Sequence, residues 1–80
     1  MEWNGIRVTI TGAGGFIGSH LCERLLSMGA VVRAMVHGDP LYHPGHSGGI
    51  HHEHLERIGG DLRDAEFVRR AVAGADTVFH

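Results

Sequence analysis

A glycine-rich segment that directly follows an apolar run constrains the fold of this chain most. Ile6 to Thr11 alternates apolar and polar residues and is rich in β-branched side chains, a pattern that predicts a strand. The glycines after it are Gly12, Gly14, Gly15 and Gly18. Apolar residues then recur every four positions, at Ile17, Leu21 and Leu25, before Gly29. This spacing predicts an amphipathic helix that begins at a glycine turn and ends at Gly29.

The rest of the chain repeats this alternation of strand and helix. Ala30 to Val36 is a short apolar run, typical of a strand covered on both faces, and Leu55 to Gly60 predicts a third strand. Asp64 is suited to cap a second helix that Gly74 ends, and Asp76 to His80 predicts a fourth strand. Strands joined through a helix are parallel and have a right-handed crossover. We therefore expect an α/β fold with a parallel sheet.

Length and composition set the class of protein. Eighty residues with 42% hydrophobic content suit one soluble core, so residues 1–80 are expected to form a single domain. A formal charge of -2 gives no field that attracts nucleic acid or an anionic membrane, and we expect neither as a partner. One cysteine excludes an internal disulfide, and no apolar run reaches about 18 residues. A cytoplasmic location is the expectation.

The size of the chain also favours self-association. A domain this short buries only about 60% of the surface that its unfolded chain exposes, so its stability margin is thin. The fourth strand is expected to be an apolar edge, and exposed edges pair with other strands. We therefore expect a homo-oligomer.

The glycine turn between a strand and a helix is suited to bind phosphate. The backbone N–H groups at a helix N-terminus and the helix dipole attract anions, and glycines let the anion approach the backbone. The segment lies after a predicted strand and opens a predicted helix, which is the context that this motif requires. The alternative is that the glycines serve only a tight turn and close helix packing.

Two motifs in this context resemble those of a known family. Thr11 to Leu21 reads TGAGGFIGSHL, with T-G-x-x-G-x-x-G spacing, and Gly60 to Asp64 reads GDLRD. Both resemble the extended short-chain dehydrogenase/reductase family, the NAD(P)-dependent sugar-nucleotide epimerases and dehydratases, and Ala75 to His80 resembles the strand that follows. The resemblance implies a partial Rossmann fold, with strand order 3-2-1-4 and helices on its faces. It also implies that the chain is only the N-terminal portion of such a protein.

The resemblance implies a dinucleotide site with NAD as the cofactor, and NADP as the alternative. In this family Gly12, Gly15 and Gly18 form the turn. The N–H groups of Phe16 and Ile17 would meet the pyrophosphate, while Asp61 and the backbone of Leu62 would hold the adenine. The alternatives are a solvated turn residue for Asp61 and a core side chain for Leu62.

The catalytic pair of the family is absent from these residues. Its chemistry depends on a Tyr-x-x-x-Lys pair located after the fourth strand, but all seven basic residues here are arginine and the only tyrosine is Tyr42, with His46 four positions on. We expect no catalytic residue in this chain. It would bind the cofactor as part of a longer enzyme that acts on a sugar nucleotide. The alternative is a stand-alone, non-catalytic nucleotide-binding or dimerisation module.

The position that contacts the adenosine ribose also departs from the usual pattern. Such folds place an acid at the end of the second strand, where this chain has Val36 and His37. We assign His37 to the cofactor site as a weak substitute for that acid. Arg33 lies within the strand and is expected to point away from the ribose, which favours NAD(H) over NADP(H).

A histidine-rich segment separates the second and third strands. Imidazole binds zinc, nickel and copper, so a metal-binding protein is a third interpretation. A loop broken by glycines and two prolines cannot fix ligands well, and we predict no metal site. The alternatives are a solvated surface loop and contact with nucleotide or a partner. The histidines concerned are His37, His43, His46, His51, His52 and His54.

Overall fold

The computed structural model describes residues 2–13, 15–37 and 52–80, with only the backbone of residue 37. In these ranges the strands and helices follow one another in the predicted order. The elements are β1 (Arg7–Ile10), α1 (Phe16–Ser27), β2 (Val31–His37), β3 (Leu55–Gly60), α2 (Ala65–Val72) and β4 (Thr77–Phe79). The strand bounds differ slightly from those predicted, since β1 and β4 are shorter and β2 extends to His37.

The four described strands form one parallel sheet in the order β3-β2-β1-β4. The partial Rossmann topology predicted from the sequence is therefore confirmed. In the register of β2 and β3, Val32 is paired with Leu55 and His37 with Gly60. The carboxyl ends of these two strands consequently meet at the same edge of the sheet.

The two helices cover opposite faces of the sheet. Successive side chains of β2 point to opposite faces, and they pack in turn against α1 and against α2. Val32, Ala34 and Val36 belong to a core cluster with residues of α1, whereas Met35 packs with Phe67 and Ala71 of α2. The α1 cluster is the larger one. Its buried members are Val8, Ile10, Ala13, Cys22, Leu25, Leu26, Ala30, Val32, Ala34 and Val36.

Both helix boundaries that the sequence indicated have a local cause. Gly29 adopts φ +88°, and the Gly29 and Ala30 N–H groups each donate over 3.0 Å, to the carbonyls of Leu26 and Leu25. This Schellman motif ends α1 and turns the chain into β2. At the start of α2, the Asp64 carboxylate accepts hydrogen bonds from the N–H groups of Glu66 (3.0 Å) and Phe67 (3.3 Å).

Strand β4 lies at the edge of the sheet. The Thr11 N–H donates to the Phe79 carbonyl over 2.9 Å, and the rings of Trp3 and Phe79 are 6.0 Å apart, so one face of this strand is covered. Val78, on the other face, is 46% exposed. Across residues 2–13, 15–37 and 52–80, no helix is long and apolar enough to cross a membrane.

Candidate dinucleotide site

The loop between β1 and α1 brings the helix against the end of the strand. Gly12 has φ +62°, and the Gly15 N–H donates to the Gly12 carbonyl over 3.0 Å. A Cβ atom on Gly18 would overlap that carbonyl oxygen and would lie 2.9 Å from Cα of Ala13. Gly18 therefore permits the close approach of α1 to the loop. Gly14 lies outside the described residues.

The N-terminus of α1 presents backbone amides and no opposing charge. Gly15 is the N-cap, and the Ser19 N–H donates to the Gly15 carbonyl over 2.9 Å. No side chain caps this end of the helix, since a glycine has none with which to do so. The first turn contains no acidic residue, and the Ile17 side chain is 80% exposed. This end of α1 is therefore suited to an anion.

The second helix differs in this respect. Asp64 caps α2 with its carboxylate, and Glu66 adds a second negative charge in the first turn. Two of its N-terminal amides, those of Glu66 and Phe67, are thus bound by a side chain of the chain itself, and an anion there would be repelled. Of the two helices described, only α1 offers its N-terminus to a ligand.

A cleft of about 300 Å³ lies at the carboxyl ends of β1, β2 and β3. It is lined by Gly12, Met35, Val36, Gly60, Asp61, Leu62 and Phe67. A Cβ on Gly60 would lie 2.6 Å from Cγ of Phe67, so the aromatic wall of the cleft requires glycine at the end of β3. The structure thereby brings the predicted residues Gly12, Asp61 and Leu62 to one cavity.

The Asp61 side chain is held at the edge of this cleft. Its carboxylate accepts hydrogen bonds from the backbone N–H (2.8 Å) and the guanidinium (2.7 Å) of Arg63. The hydrogen bond to Asp61 raises the pKa of the Arg63 guanidinium, which stays charged. Leu62 is 49% exposed, so its side chain does not belong to the core.

The two residues discussed for the ribose, His37 and Arg33, lie in different parts of the structure. Only the backbone of His37 is described, and its pairing with Gly60 puts the end of β2 beside the cleft. Arg33 lies on the α2 face of the sheet, where its Nη1 donates to the Arg70 (2.9 Å) and Ala73 (3.1 Å) carbonyls. Arg33 is not among the residues that line the cleft.

Gly60 lines the cleft but was predicted only as the end of the third strand and the first residue of the GDLRD motif. Three further lining residues, Met35, Val36 and Phe67, were not predicted as part of the site either. The sequence signal for Met35 and Val36 was the apolar run from Ala30 to Val36, which was interpreted only as a strand covered on both faces. Predicted residues Gly15, Phe16, Ile17 and Gly18 do not line the cleft itself. They lie at the start of α1, on the loop that Gly12 begins.

Cys22 and the histidine-rich segment add no described site. The Cys22 side chain is fully buried on the inner face of α1, and this burial raises the pKa of its thiol, which disfavours the nucleophilic thiolate. Tyr42, His43, His46 and His51 lie outside the described residues. The rings of His52 and His54 are 5.4 Å apart, and within the described ranges no three His, Cys, Asp or Glu residues are grouped to hold a metal ion.

Comparison with known proteins identifies the family to which this site belongs. The sequence profile of the NAD dependent epimerase/dehydratase family matches residues 8–80. The chain belongs to this family. The match includes both the glycine loop and the segment around Asp61.

Relatives of the chain within this family are much longer. A 3 beta-hydroxysteroid dehydrogenase/Delta 5-->4-isomerase of Mycobacterium tuberculosis is 38% identical over 74 residues, which cover 92% of this chain and 18% of that protein. The epimerase Mth375 of Methanothermobacter thermautotrophicus has a similar structure, with a TM-score of 0.80 and 32% identity over 98% of this chain and 23% of its own. The enzyme WbmH of Bordetella bronchiseptica, whose structure was solved in complex with NAD+, superposes with a TM-score of 0.76 and 28% sequence identity. The match covers 94% of this chain and 25% of WbmH.

The geometry of this epimerase/dehydratase-family chain fits a dinucleotide. Within the described part of the chain, a Cβ on Gly12 would meet no atom within 4 Å, and one on Gly15 would meet only the Gly12 carbonyl, at 3.4 Å. Gly12 and Gly15 therefore leave open backbone that a phosphate can approach. Beside it lie an apolar cleft wall and a carboxylate, which suit an adenine ring and its amino group.

Proposed function

We propose that residues 1–80 form the NAD(P)-binding portion of an epimerase/dehydratase-family protein and bind the ADP part of the cofactor. The observation that supports this most strongly is the position of two features at one end of the sheet. The uncapped N-terminus of α1 follows Gly15, and the cleft that contains Asp61 begins at Gly12. One ligand that carries both a pyrophosphate and an adenine fits this pair of features.

Each part of the proposed site has a separate task. Gly12, Gly15 and Gly18 form a turn without side chains, and the N–H groups of Phe16 and Ile17 donate to the pyrophosphate. The Asp61 carboxylate accepts from the adenine amino group, with the Leu62 backbone alongside. His37, at the end of β2, contacts the ribose. NAD(H) is the proposed cofactor, with NADP(H) bound more weakly.

Catalysis requires residues that this chain does not supply. Without a lysine, these residues cannot provide the Tyr-x-x-x-Lys pair that the family resemblance implies. We therefore propose that the chain binds the cofactor and does not turn over substrate by itself. A longer enzyme that contains this chain is still predicted to act on a sugar nucleotide. The steroid dehydrogenase relative shows that membership of the family does not fix the substrate.

The test is a substitution for which binding and stability change in opposite directions. In Gly15→Asp, the new carboxylate can cap α1 from the extended backbone that Gly15 already adopts (φ -82°, ψ 174°), and it would occupy the amides that the phosphate needs. We expect ADP-ribose and NAD binding to be lost in calorimetry. The melting temperature should be unchanged or a few degrees higher, since a cap and a favourable dipole contribute about 0.5–1 kcal/mol.

Asn4→Asp is the matched control. It adds the same charge with little change of shape in the exposed turn that precedes β1, at the opposite end of the sheet. This variant should bind like the parent chain. Equal affinity of Gly15→Asp and the parent for ADP-ribose would contradict the proposed site, as would a parent chain that binds none of NAD, NADP and ADP-ribose.

A further inference from the structure

We propose that His80 is a positioning residue for phosphate binding, and that it acts through Thr11, the first residue beyond β1. This inference rests on the proposed function, because it concerns the same cofactor. The Thr11 hydroxyl lies 3.1 Å from Nδ1 of His80. Thr11 directly precedes Gly12, and His80 directly follows β4. One side-chain contact therefore joins the start of the glycine loop to the end of the neighbouring strand.

Backbone hydrogen bonds hold the start of the loop between two strands. On the β4 side the Thr11 N–H donates to the Phe79 carbonyl over 2.9 Å, and on the β2 side the Ala13 N–H donates to the Met35 carbonyl over 3.2 Å. Gly12, between these two anchored residues, has φ +62°. A glycine has many accessible backbone conformations, so the path of the chain there depends on how firmly its neighbours are held. The histidine adds a second bond to one of those neighbours.

Thr11 is suited to pass this constraint on to the phosphate-binding amides. A β-branched side chain is stiff at χ1, so a hydrogen bond that fixes its hydroxyl also limits the movement of its main chain. The Gly12 carbonyl accepts the Gly15 N–H over 3.0 Å, and α1 begins at the next residue, Phe16. A displaced Thr11 would therefore shift the amides of Phe16 and Ile17 relative to the phosphate.

The imidazole ring offers two nitrogens, and two substitutions distinguish them. A hydroxyl both donates and accepts, so Thr11 can bind Nδ1 in either tautomer of the neutral ring. Asparagine places its amide at about the position of Nδ1, whereas glutamine places its amide at about the position of Nε2. His80→Asn therefore keeps a partner for the Thr11 hydroxyl, and His80→Gln removes it.

The experiment measures ADP-ribose affinity by calorimetry and the melting temperature of each variant. We expect His80→Asn to bind ADP-ribose within about twofold of the parent. His80→Gln and Thr11→Val should each weaken binding by about three- to tenfold, the range that one neutral hydrogen bond supplies. The double variant Thr11→Val/His80→Gln should bind no more weakly than the weaker single variant, because both substitutions remove the same bond.

Thr77→Val is the matched control. Thr77 begins β4, at the opposite end of that strand from His80, so the same substitution removes a hydroxyl away from the glycine loop. This variant should keep the parent affinity. Rescue by asparagine separates positioning from general destabilisation, since any loss of affinity that follows the melting temperature alone would not depend on which ring nitrogen is replaced.

The outcomes separate this inference from the proposed function. A His80→Gln variant that binds ADP-ribose like the parent would overturn the role of His80 and leave the phosphate site intact. A variant pair in which glutamine retains affinity and asparagine loses it would assign the effect to Nε2 and would also overturn the inference. Losses that multiply in the double variant would show that the two residues act independently, against the proposal. A parent chain that binds no ADP-ribose would overturn the proposed function itself.

Discussion

Thr9 and Arg33 donate hydrogen bonds to the same acceptor, the carbonyl oxygen of Ala71. The Thr9 hydroxyl lies 2.8 Å from this oxygen and the Arg33 Nη1 lies 3.1 Å from it. The two residues are register partners on β1 and β2, and both face α2. The last carbonyls of a helix lack intrahelical partners. This pair therefore anchors the carboxyl end of α2 to the middle of the sheet, and Arg33 is engaged there and not at the cofactor.

Removal of either donor should destabilise the fold, and the two effects should not add. Thr9→Val keeps the shape of a buried side chain and removes one hydrogen bond, which costs about 1 kcal/mol. Arg33→Met removes the donors to three carbonyls and the ion pair with Glu56, and should cost about 2 kcal/mol. Urea unfolding of both variants and the double mutant measures the coupling. Additivity within about 0.5 kcal/mol would contradict a shared role of the Ala71 carbonyl.

Gly18 and Gly15 provide a matched pair of glycine-to-alanine substitutions. Helix propensity alone would favour alanine at position 18 by about 1 kcal/mol. The new Cβ would instead overlap the Gly12 carbonyl, which is backbone and cannot move aside, so we expect Gly18→Ala to be less stable than the parent. Gly15→Ala meets that carbonyl only at 3.4 Å and loses only the preference of an N-cap for glycine over alanine, so it should be the more stable of the two variants. Thermal unfolding compares them, and equal melting temperatures would show that the loop relaxes freely.

The fold could be predicted from the sequence because each element has a local signal. The glycine loop, the Gly29 stop and the Asp64 cap are contained within a few residues. The strand order came from the resemblance, since periodicity does not say which strands pair. The contact between Arg63 and Asp61 was not predicted, because a spacing of two residues does not show which way side chains turn. The place of Phe67 in the cleft wall was not predicted either, because it depends on how α2 packs against the end of β3.

Because the pKa of the buried Cys22 thiol is raised, we expect the stability of the fold to depend on pH. Burial raises its pKa above the ordinary value of 9.0, while Arg57 lowers it to a smaller extent. The folded chain therefore holds this proton more tightly than the unfolded chain. This contribution is present below pH 9 and is lost as the pH rises through the pKa of the folded state. Cys22→Ala should be less stable than the parent at pH 7 by about 1 kcal/mol, because it leaves a cavity.

The quantity to measure is the difference in the free energy of unfolding between the parent and Cys22→Ala, because the other titrating groups are the same in both. Urea unfolding at pH 7 and pH 10 should show that the gap between the parent and Cys22→Ala narrows at the higher pH. A constant gap would mean that the thiol does not contribute to the pH dependence.

The edge strand β4 predicts self-association of this chain. Val78 is 46% exposed beside backbone groups that β1 does not pair, and such an edge recruits another strand. We expect a dimer or larger species in light scattering at high concentration. Val78→Lys should shift the population toward monomer, because a charged edge opposes strand pairing. A parent chain that is monomeric at high concentration would contradict this prediction.

Cofactor choice is predicted to depend on the residue at the end of β2. His37 is the register partner of Gly60 in the sheet, and its backbone therefore lies close to Asp61, the next residue after Gly60. An arginine there would carry a full charge and could bind a 2'-phosphate through two hydrogen bonds. We expect His37→Arg to raise NADP(H) affinity relative to NAD(H) by about tenfold, measured by titration of both cofactors. His54→Arg adds the same side chain just before β3, at the opposite end of that strand, and should leave the ratio unchanged. If the two variants shift the ratio equally, the preference reflects overall charge, and the assignment of His37 to the ribose position is wrong.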